Sequence, residues 1–330
     1  MAWLISVLLM PVFVHGQTAE KPHRVGLLLS PNSSYWSKDS SSYWSSGDIS
    51  WRPLQDALQG YGYEQGKNLN FAPKLPRTDI EMSAMAVELI SLDLDVIIAA
   101  DLQAAAALRR ATQAIPIVML AENDPVAAGL VASLALPGGN ITGVSILLAE
   151  MVGKRLELLK AILPDITKVC MLRDRDNPDQ GLWHAAQKAA QILGLTVQLQ
   201  ESRNRAEDLM AIIPQAIAAQ CNAIVMLDTF LGNQNRLNTR ATESQLPVIC
   251  DEPAWASHEI RCLLGYGPEL NQLMDRLAYQ VDRILKGGAP AEIPVEQPKR
   301  FKLAINLWVA ERLGIEIPPI VIMQTDKIFK

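Results

Sequence analysis

The sequence has few residues of the kinds that carry most catalytic and metal chemistry. Its 330 residues include only four histidines and four cysteines. No two cysteines form a C-x-x-C pair, so a zinc site is not expected. The sequence also has no phosphate-binding loop, no G-x-G-x-x-G after the first predicted strand, no G-x-S-x-G and no H-E-x-x-H. We therefore expect no cofactor and no metal, and we predict that the protein is not an enzyme.

Clustered positive charge is also missing. The chain has 30 basic and 35 acidic residues, a net charge of −5, with no run of lysine and arginine. Because nucleic-acid-binding surfaces usually carry such clusters, we expect no nucleic-acid partner. Hydrophobic residues make up 49% of the chain and charged residues 20%, which is typical of a folded globular protein, and the length allows two domains.

Long apolar runs are absent except near the amino terminus. The segment from Ala2 to Val14 is too short to span a bilayer but has the length of a signal-peptide core. We therefore expect residues 1–16 to be a signal peptide, with cleavage before Gln17 and a periplasmic or otherwise extracytoplasmic protein. A positively charged region before the core is missing, so an uncleaved amino-terminal anchor is the alternative.

The cysteines are placed like buried apolar residues. Cys170, Cys221 and Cys250 each lie in or beside an apolar run, where a free cysteine behaves as a small hydrophobic side chain. An exported protein can form disulfides, but the sequence leaves their presence open.

Short apolar runs alternate with longer amphipathic segments, a pattern that predicts βαβ units and a parallel sheet. Helices are predicted over 79–92, with Thr78 and Glu81 at capping-box spacing, over 151–163 and over 268–285. A further helix is predicted to begin at Asp124-Pro125 and to end before the turn at 137–140. Nine strands exceed one ordinary sheet and indicate two lobes. Their predicted starts are Arg24, Asn68, Asp95, Pro116, Asn140, Lys168, Leu195, Ala223 and Pro247.

Polar residues gather directly after these predicted strands. In open α/β sheets, ligands bind beyond the carboxyl ends of the strands, so these side chains predict a small-molecule cleft between two lobes. The simpler interpretation is that each caps the following helix, and the two roles are compatible because both face the same crevice. The predicted ligand-binding residues are Ser30, Asn32, Asp101, Gln103, Asn123, Asp124, Asp174, Asn177, Asp228, Thr229, Asp251 and Glu252.

The candidate cleft carries more carboxylates than basic groups. Arg173 is the nearest basic residue, and the alternative is that Arg173 or Arg175 neutralises part of the negative charge. An unpaired anion is costly in a cleft of low dielectric, so we expect an amine-bearing or neutral polar ligand to bind better than a simple carboxylate. A loop after the first strand carries Tyr35, Trp36, Tyr43, Trp44 and Trp51. At least one of these rings is hypothesised to cover the cleft mouth; packing of the loop on the first lobe is the alternative.

Several segments together resemble the tryptophan/tyrosine-type substrate-binding proteins of ABC transporters. They are NDPVAAGLVASLALPGGNITGVS from Asn123, GKRLELLKAILPDITKV from Gly153, LPVICDEPAW from Leu246, GYGPE from Gly265 and the stretch beginning ILKGGAPAEIPVEQPKRF at Ile284. The resemblance extends from about Arg24 to the carboxyl terminus. It implies an α/β fold of the periplasmic-binding-protein type I, with two doubly wound parallel-sheet lobes joined by three crossovers.

On this resemblance, the first lobe comprises residues 24–145 and 264–294, and the second comprises 146–263 and 295–330. The implied function is capture of a small solute, such as an amino acid, an amine or a related polar molecule. The implied partners are the permease and ATPase subunits of an ABC importer. A ligand-sensing domain that presents its closed form to a membrane receptor is the alternative.

The sequence departs from the family pattern after the third strand. The family commonly has Gly-Thr-Pro there, which suits a carboxylate, whereas this chain has Asp101-Leu102-Gln103. We therefore hypothesise that Asp101 binds an amine.

Overall fold

The computed structural model describes residues 21–31, 52–146, 148–175, 180–203, 206–227 and 234–330. The predicted signal peptide, the aromatic loop and the candidate residues Asn32, Asn177, Asp228 and Thr229 lie outside the described residues. Within these ranges, no helix is both long enough and apolar enough to cross a membrane.

Five parallel strands form the sheet of the first lobe: β1 (His23–Leu28), β2 (Leu69–Lys74), β3 (Val96–Ala99), β4 (Ile117–Ala121) and β5 (Ile141–Ser145). They lie in the order β2-β1-β3-β4-β5. Strands β3 and β4 are buried along their whole length, as expected for the centre of a parallel sheet covered on both faces. The helices that follow β1, β2 and β3 are α1 (Arg52–Gly60), α2 (Asp79–Ile90) and α3 (Leu102–Ala111).

The predicted helix start at Thr78 is confirmed. The Oγ1 atom of Thr78 accepts a hydrogen bond from the backbone N–H of Glu81 at 3.1 Å. The Glu81 carboxylate accepts from the backbone N–H of Arg77 at 2.7 Å, one residue before the position that a capping box would use. Local side-chain chemistry therefore fixes where α2 begins.

The predicted helix beginning at Asp124-Pro125 is wrong. Asp124 does cap a turn, because its Oδ1 atom accepts from the backbone N–H groups of Val126 and Ala127 at 2.8 and 3.2 Å. However, residues 125–129 form turns only. Gly129 takes a left-handed conformation at φ 68°, which ends the helical pattern after one turn.

Seven strands form the sheet of the second lobe: β6 (Lys168–Asp174), β7 (Thr196–Ser202), β8 (Ala223–Met226), β9 (Val248–Cys250), β10 (Leu264–Gly267), β11 (Lys302–Asn306) and β12 (Lys327–Phe329). Their order is β12-β11-β10-β9-β8-β6-β7, and β10 pairs with β11 in the antiparallel sense. All nine predicted strands are present. Strands β10, β11 and β12 are additional to the nine predicted strands.

The helices of the second lobe follow its strands or the first crossover. Helix α4 (Leu148–Ile162) follows β5, and a short 3₁₀ helix over Pro253–Ala256 follows β9. The other helices before β9 are α5 (Gln180–Ile192), α6 (Ala206–Ala218) and α7 (Gln234–Glu243).

Three crossovers join the lobes, as the resemblance implied. The chain leaves the first sheet between β5 and α4, and it returns after β10 into α8 (Leu270–Leu285), which packs on α1, β4 and β5. It leaves again after Glu296 to form β11, and the chain ends with α9 (Leu307–Arg312), α10 (Pro319–Met323) and β12.

The second and third crossovers lie a few residues later than the expected lobe boundaries. Residues 264–267 form β10, which belongs to the second sheet and not to the first lobe. Glu296 remains with the first lobe, because its backbone N–H donates to the Gly143 carbonyl at 2.9 Å and its carbonyl accepts from the Ser145 N–H at 2.8 Å. Strand pairing therefore sets these boundaries.

The structure settles the pairing of the cysteines. Cys170 is bonded to Cys221 and Cys250 to Cys262, so all four form disulfides within the second lobe. Each disulfide links the segments of two neighbouring parallel strands, β6 with β8 and β9 with β10. The sequence left the presence of disulfides open, and the second lobe contains two.

Candidate ligand-binding cleft

The candidate cleft lies where the chain joins the carboxyl ends of the parallel strands of the two lobes. The first crossover leaves the end of β5 and the second leaves the end of β10, and both strands run parallel to neighbours in their own sheets. Since both connections start at carboxyl ends, the carboxyl edges of the two sheets face each other. This is where ligands bind in open α/β sheets.

Asp101 holds the strand ends of the first lobe together. Its Oδ2 atom accepts from the backbone N–H of Ser30 at 3.1 Å, and its Oδ1 atom accepts from the N–H of Ala104 at 2.7 Å. The carboxylate therefore caps α3 and ties the end of β1 to the end of β3. Asp101 is only 4% exposed. The predicted residues Ser30 and Asp101 are thus brought together, and Gln103 lies half-buried in the first turn of α3.

The end of β4 adds groups that the sequence analysis missed. Glu122 is buried, and its Oε2 atom accepts from the backbone N–H of Leu102 at 3.4 Å. The Ser145 hydroxyl donates to the carbonyl of Asn123 at 3.0 Å, which joins the ends of β4 and β5. Asp124 is exposed next to them. Glu122 directly follows the apolar run of β4, and that position is the signal that could have identified it.

The second-lobe edge carries Asp174, Asp251 and Glu252. Asp174 ends β6 and is buried, and Asp251 is buried directly after β9. Glu252 is partly exposed and caps the 3₁₀ helix, accepting from the Ala254 N–H at 3.3 Å. Arg173, the basic residue predicted to lie nearest the cleft, forms an ion pair with Glu201 on β7. Its charge is therefore offset within the sheet.

Arg155 is a buried cation beneath the second-lobe edge that was not among the predicted site residues. This α4 residue is fully buried. Its Nε atom donates to the Tyr266 carbonyl at 2.9 Å, and its Nη1 atom is 3.5 Å from the Met226 carbonyl. It thereby joins α4 to the carboxyl ends of β8 and β10. Arg155 shares the buried face of α4 with Met151 and Leu159, so helical periodicity could have identified it.

Strand β10 approaches the 251–253 turn too closely for a side chain at two positions. A Cβ atom on Gly265 would lie 2.4 Å from the Glu252 carbonyl oxygen, and one on Gly267 would lie 1.9 Å from the Asp251 carbonyl oxygen. Between them, the half-buried ring of Tyr266 packs against Phe301, with ring centroids 6.2 Å apart. The two glycines therefore allow the turn bearing Asp251 and Glu252 to pack directly on β10.

The environment of Glu252 raises its pKa to about 8. Glu252 keeps some solvent contact, but protein atoms surround its carboxyl group, and this desolvation is the largest cause. The neighbouring carboxylates of Asp251 and Glu269 add to it. The backbone N–H of Ala254 and the guanidinium of Arg155 act in the opposite direction. The raised pKa favours the protonated form of Glu252 at neutral pH.

This shift predicts a pH dependence of stability. The ordinary glutamate pKa is 4.5 and that of folded Glu252 is about 8, so the folded state retains a proton that the unfolded state loses between these values. The stabilisation that this proton on Glu252 gives to the folded state is fully present below pH 4.5, and it is lost as the pH rises through 8. Between pH 5 and 8, the free energy of unfolding of the parent should fall by an amount on the order of 2 kcal/mol because of this residue. In Glu252→Gln, urea unfolding should show that this fall is absent.

Glu259→Gln is the matched control, because Glu259 is an exposed residue of the same connection. This variant should retain the pH dependence of the parent. An unchanged slope in Glu252→Gln would contradict the assignment.

A separate cavity of about 640 Å³ opens elsewhere on the first lobe. Its lining includes Pro116 and Asn140, which precede β4 and β5, together with Arg109 and residues 289–291. The cavity is therefore at the amino ends of these strands. Of the candidate ligand-binding residues that the structure describes, none lines this cavity, so we place the candidate site at the carboxyl ends of the strands.

The chain matches one family model and several known proteins. The family model, described as ABC transporter substrate binding protein, matches residues 46–329. A Tyrosine-binding protein of Clostridioides difficile (strain R20291) is 27% identical over 259 residues, covering 76% of this chain and 72% of that protein. A solved structure of a conserved domain protein from Vibrio cholerae has a TM-score of 0.78 and 26% identity, covering 93% of this chain and 100% of that one.

A second solved structure is the ABC domain from Streptococcus pneumonia in complex with L-Trp. It has a TM-score of 0.74 and 22% identity, covering 94% of this chain and 100% of that one. At this identity the likeness establishes the shared two-lobed fold. The family model spans most of the chain, and members of that family are extracytoplasmic ligand binders and not catalysts. The chain therefore belongs to the ABC transporter substrate-binding protein family.

Proposed function

We propose that this protein captures a small amine-bearing or heterocyclic solute between its lobes and delivers it to the permease and ATPase subunits of an ABC importer. The observation that carries the proposal is the arrangement of polar strand ends on two facing sheet edges. Ser30, Asp101 and Asn123 lie on one edge, and Asp251 and Glu252 lie on the other. A solute between the edges would contact both lobes and favour the closed state.

Two named relatives suggest the size of the solute. One is a Tyrosine-binding protein, and the other was solved in complex with L-Trp. We infer an aromatic or heterocyclic molecule of about that size for this chain. The flat ring could stack on an aromatic side chain such as Tyr266.

The charges at the cleft favour an amine at the first-lobe edge. Asp101, Glu122 and Asp124 lie there. On the opposite side, Arg173 is paired with Glu201, and Arg155 is fully buried below the strand ends. Because burial strengthens electrostatic attraction, a ligand ammonium group gains more at this edge than a carboxylate does.

An extracytoplasmic location is part of the proposal. The apolar core of residues 2–14 has the length expected of a signal peptide. The two disulfides in the second lobe fit an oxidising compartment, since disulfides are rare in cytosolic proteins. The importer subunits would then meet the loaded protein at the outer face of the membrane.

The test is Asp101→Asn, which keeps an oxygen for capping α3 but removes the negative charge and the acceptor of the Ser30 N–H. We expect the parent to bind tyramine and tryptamine more tightly than L-tyrosine, L-tryptophan or succinate in calorimetry. The variant should lose about tenfold in amine affinity, which corresponds to about 1.4 kcal/mol.

Asp95→Asn is the matched control. Asp95 lies just before β3, whereas Asp101 lies just after it, and the Asp95 carboxylate likewise accepts from a backbone N–H, that of Arg24, at 2.7 Å. It should leave amine affinity unchanged. Tight binding of the free amino acids that Asp101→Asn does not alter would contradict the amine assignment. Binding of none of these solutes would contradict the proposed ligand class.

A further inference from the structure

The Cys250–Cys262 disulfide closes a covalent ring around the turn that carries Asp251 and Glu252. Cys250 is the last residue of β9, and it pairs in register with Gly265 of β10. Cys262 lies just before β10, 12 positions along the chain from Cys250. The disulfide and the strand pairing therefore fix both ends of the β9–β10 connection. Both cysteines are fully buried.

The ring is also fixed internally and from its surroundings. The backbone N–H of Cys262 donates to the Trp255 carbonyl at 3.0 Å, and Trp255 is nearly buried. The side-chain amide of Asn238 on α7 donates to the Ile260 carbonyl at 2.9 Å. That of Asn306 at the end of β11 donates to the Ala256 carbonyl at 2.7 Å. The connection thus has few ways to move without breaking a buried contact.

The ring lies directly against the strand that leads to the second crossover. The Asp251 carbonyl packs where a Cβ atom of Gly267 would be, and the Glu252 carbonyl packs where that of Gly265 would be. Gly267 is the last residue of β10, and α8 of the first lobe begins at Leu270. A displacement of the Asp251-Glu252 turn toward β10 therefore has to displace the base of this crossover.

We propose that the Cys250–Cys262 disulfide is a positioning element of the ligand site, because it holds the Asp251-Glu252 turn against β10. A ligand that contacts this turn would thereby act on the crossover from β10 to α8. The proposal rests on the proposed function in one respect, namely that ligand contacts this turn. The positioning itself is a property of the unliganded protein.

The second disulfide supplies a control within the same lobe. Cys170 is the third residue of β6 and Cys221 precedes β8, so this bond lies away from the carboxyl edge of the sheet. It closes a longer loop, with a separation of 51 residues against 12. In the chain-entropy model, the longer loop gives the larger stabilisation. Stability and ligand positioning should therefore depend on different disulfides.

The experiment compares Cys250→Ala/Cys262→Ala with Cys170→Ala/Cys221→Ala by amide hydrogen exchange of the unliganded proteins. We expect exchange over 251–257 and 264–267 to become at least tenfold faster in the first variant relative to exchange over β6 and β8, and to speed up no more than those strands do in the second variant. The second variant should nevertheless show the larger fall in Tm. Binding of tyramine and L-tyrosine, measured below the Tm of both variants, should weaken about tenfold in the first variant alone.

Equal exchange over 251–257 in both variants, or no change in either, would overturn the positioning role. Faster exchange in the first variant with unchanged affinity for a solute that the parent binds would overturn the coupling to ligand contact. If the parent binds neither solute, hydrogen exchange still decides the positioning role, and the failure then belongs to the proposed ligand class.

Discussion

Gly143→Ala is expected to destabilise the first lobe by about 4 kcal/mol. A Cβ atom at this position would lie 2.0 Å from the carbonyl oxygen of Met119, a backbone atom of β4 that cannot move without breaking the sheet. Gly143 also has φ 146°, a backbone conformation that residues other than glycine rarely adopt. Steric overlap and backbone strain therefore act together. The Gly143 carbonyl also accepts from the Glu296 N–H, so the third crossover should loosen with β5.

Gly139→Ala is the matched control, because a Cβ atom at Gly139 meets nothing within 4 Å. For a lobe of this size, the Gly143 variant should lose about 10 °C in Tm, whereas the Gly139 variant should stay within about 2 °C of the parent. Differential scanning calorimetry measures both. Equal melting of the two variants would show that β5 can shift to accept a side chain.

Arg155→Met is expected to cost about 3 kcal/mol of stability and to alter the electrostatics of the cleft. Methionine fills much of the same volume, but it cannot donate to the carbonyls of Tyr266 and Met226. Removing the cation avoids its desolvation, which limits the loss, but buried carbonyls are left without that donor. Arg155 also lowers the pKa of Glu252. In the variant, the loss of stability with rising pH should therefore extend to higher pH.

Lys154→Met is the control, since Lys154 is the adjacent basic residue of α4 but is exposed and pairs with Glu157 at 3.1 Å. Surface ion pairs of this kind contribute little, so this variant should change the free energy of unfolding by less than about 0.5 kcal/mol. Urea unfolding at pH 6 and pH 8 separates the two variants. An Arg155 variant as stable as the Lys154 variant at both pH values would contradict the role of Arg155 at the strand ends.

The central strands could be predicted because their side-chain pattern is local. Runs such as Val96–Ala99 and Ile117–Ala121 are apolar throughout, as strands buried on both faces must be. The Thr78 cap was predictable for the same reason, because the hydrogen bond joins residues three apart. Strand β10 was missed because Leu-Gly-Tyr-Gly has a weak strand propensity of its own. Its glycines are explained only by the packing of the 251–253 turn.

The candidate site was predictable in outline but not in its charge balance. Placing polar residues at strand ends identified Ser30, Asp101 and Asp251, because parallel strands bring their carboxyl ends to one edge. Counting carboxylates there omitted Arg155, which reaches the edge from a helix that follows the first crossover. It also treated Arg173 as available, although Glu201 on a neighbouring strand pairs with it. Both corrections depend on contacts between residues far apart in sequence.

The sequence by itself determined the alternation of strands and helices, the two-lobed organisation and the polar strand ends, because each follows from hydrophobic periodicity and local capping. Only the tertiary structure decided the disulfide pairing, the assignment of β10 to the second sheet and the burial of Arg155. Four cysteines can pair in three ways, and the observed pairing depends on which strands become neighbours. Hydrogen bonds between segments distant in sequence fix the sheet order, which places β9 beside β10. The same order brings the Asp251-Glu252 turn against β10, the strand that leads into the second crossover.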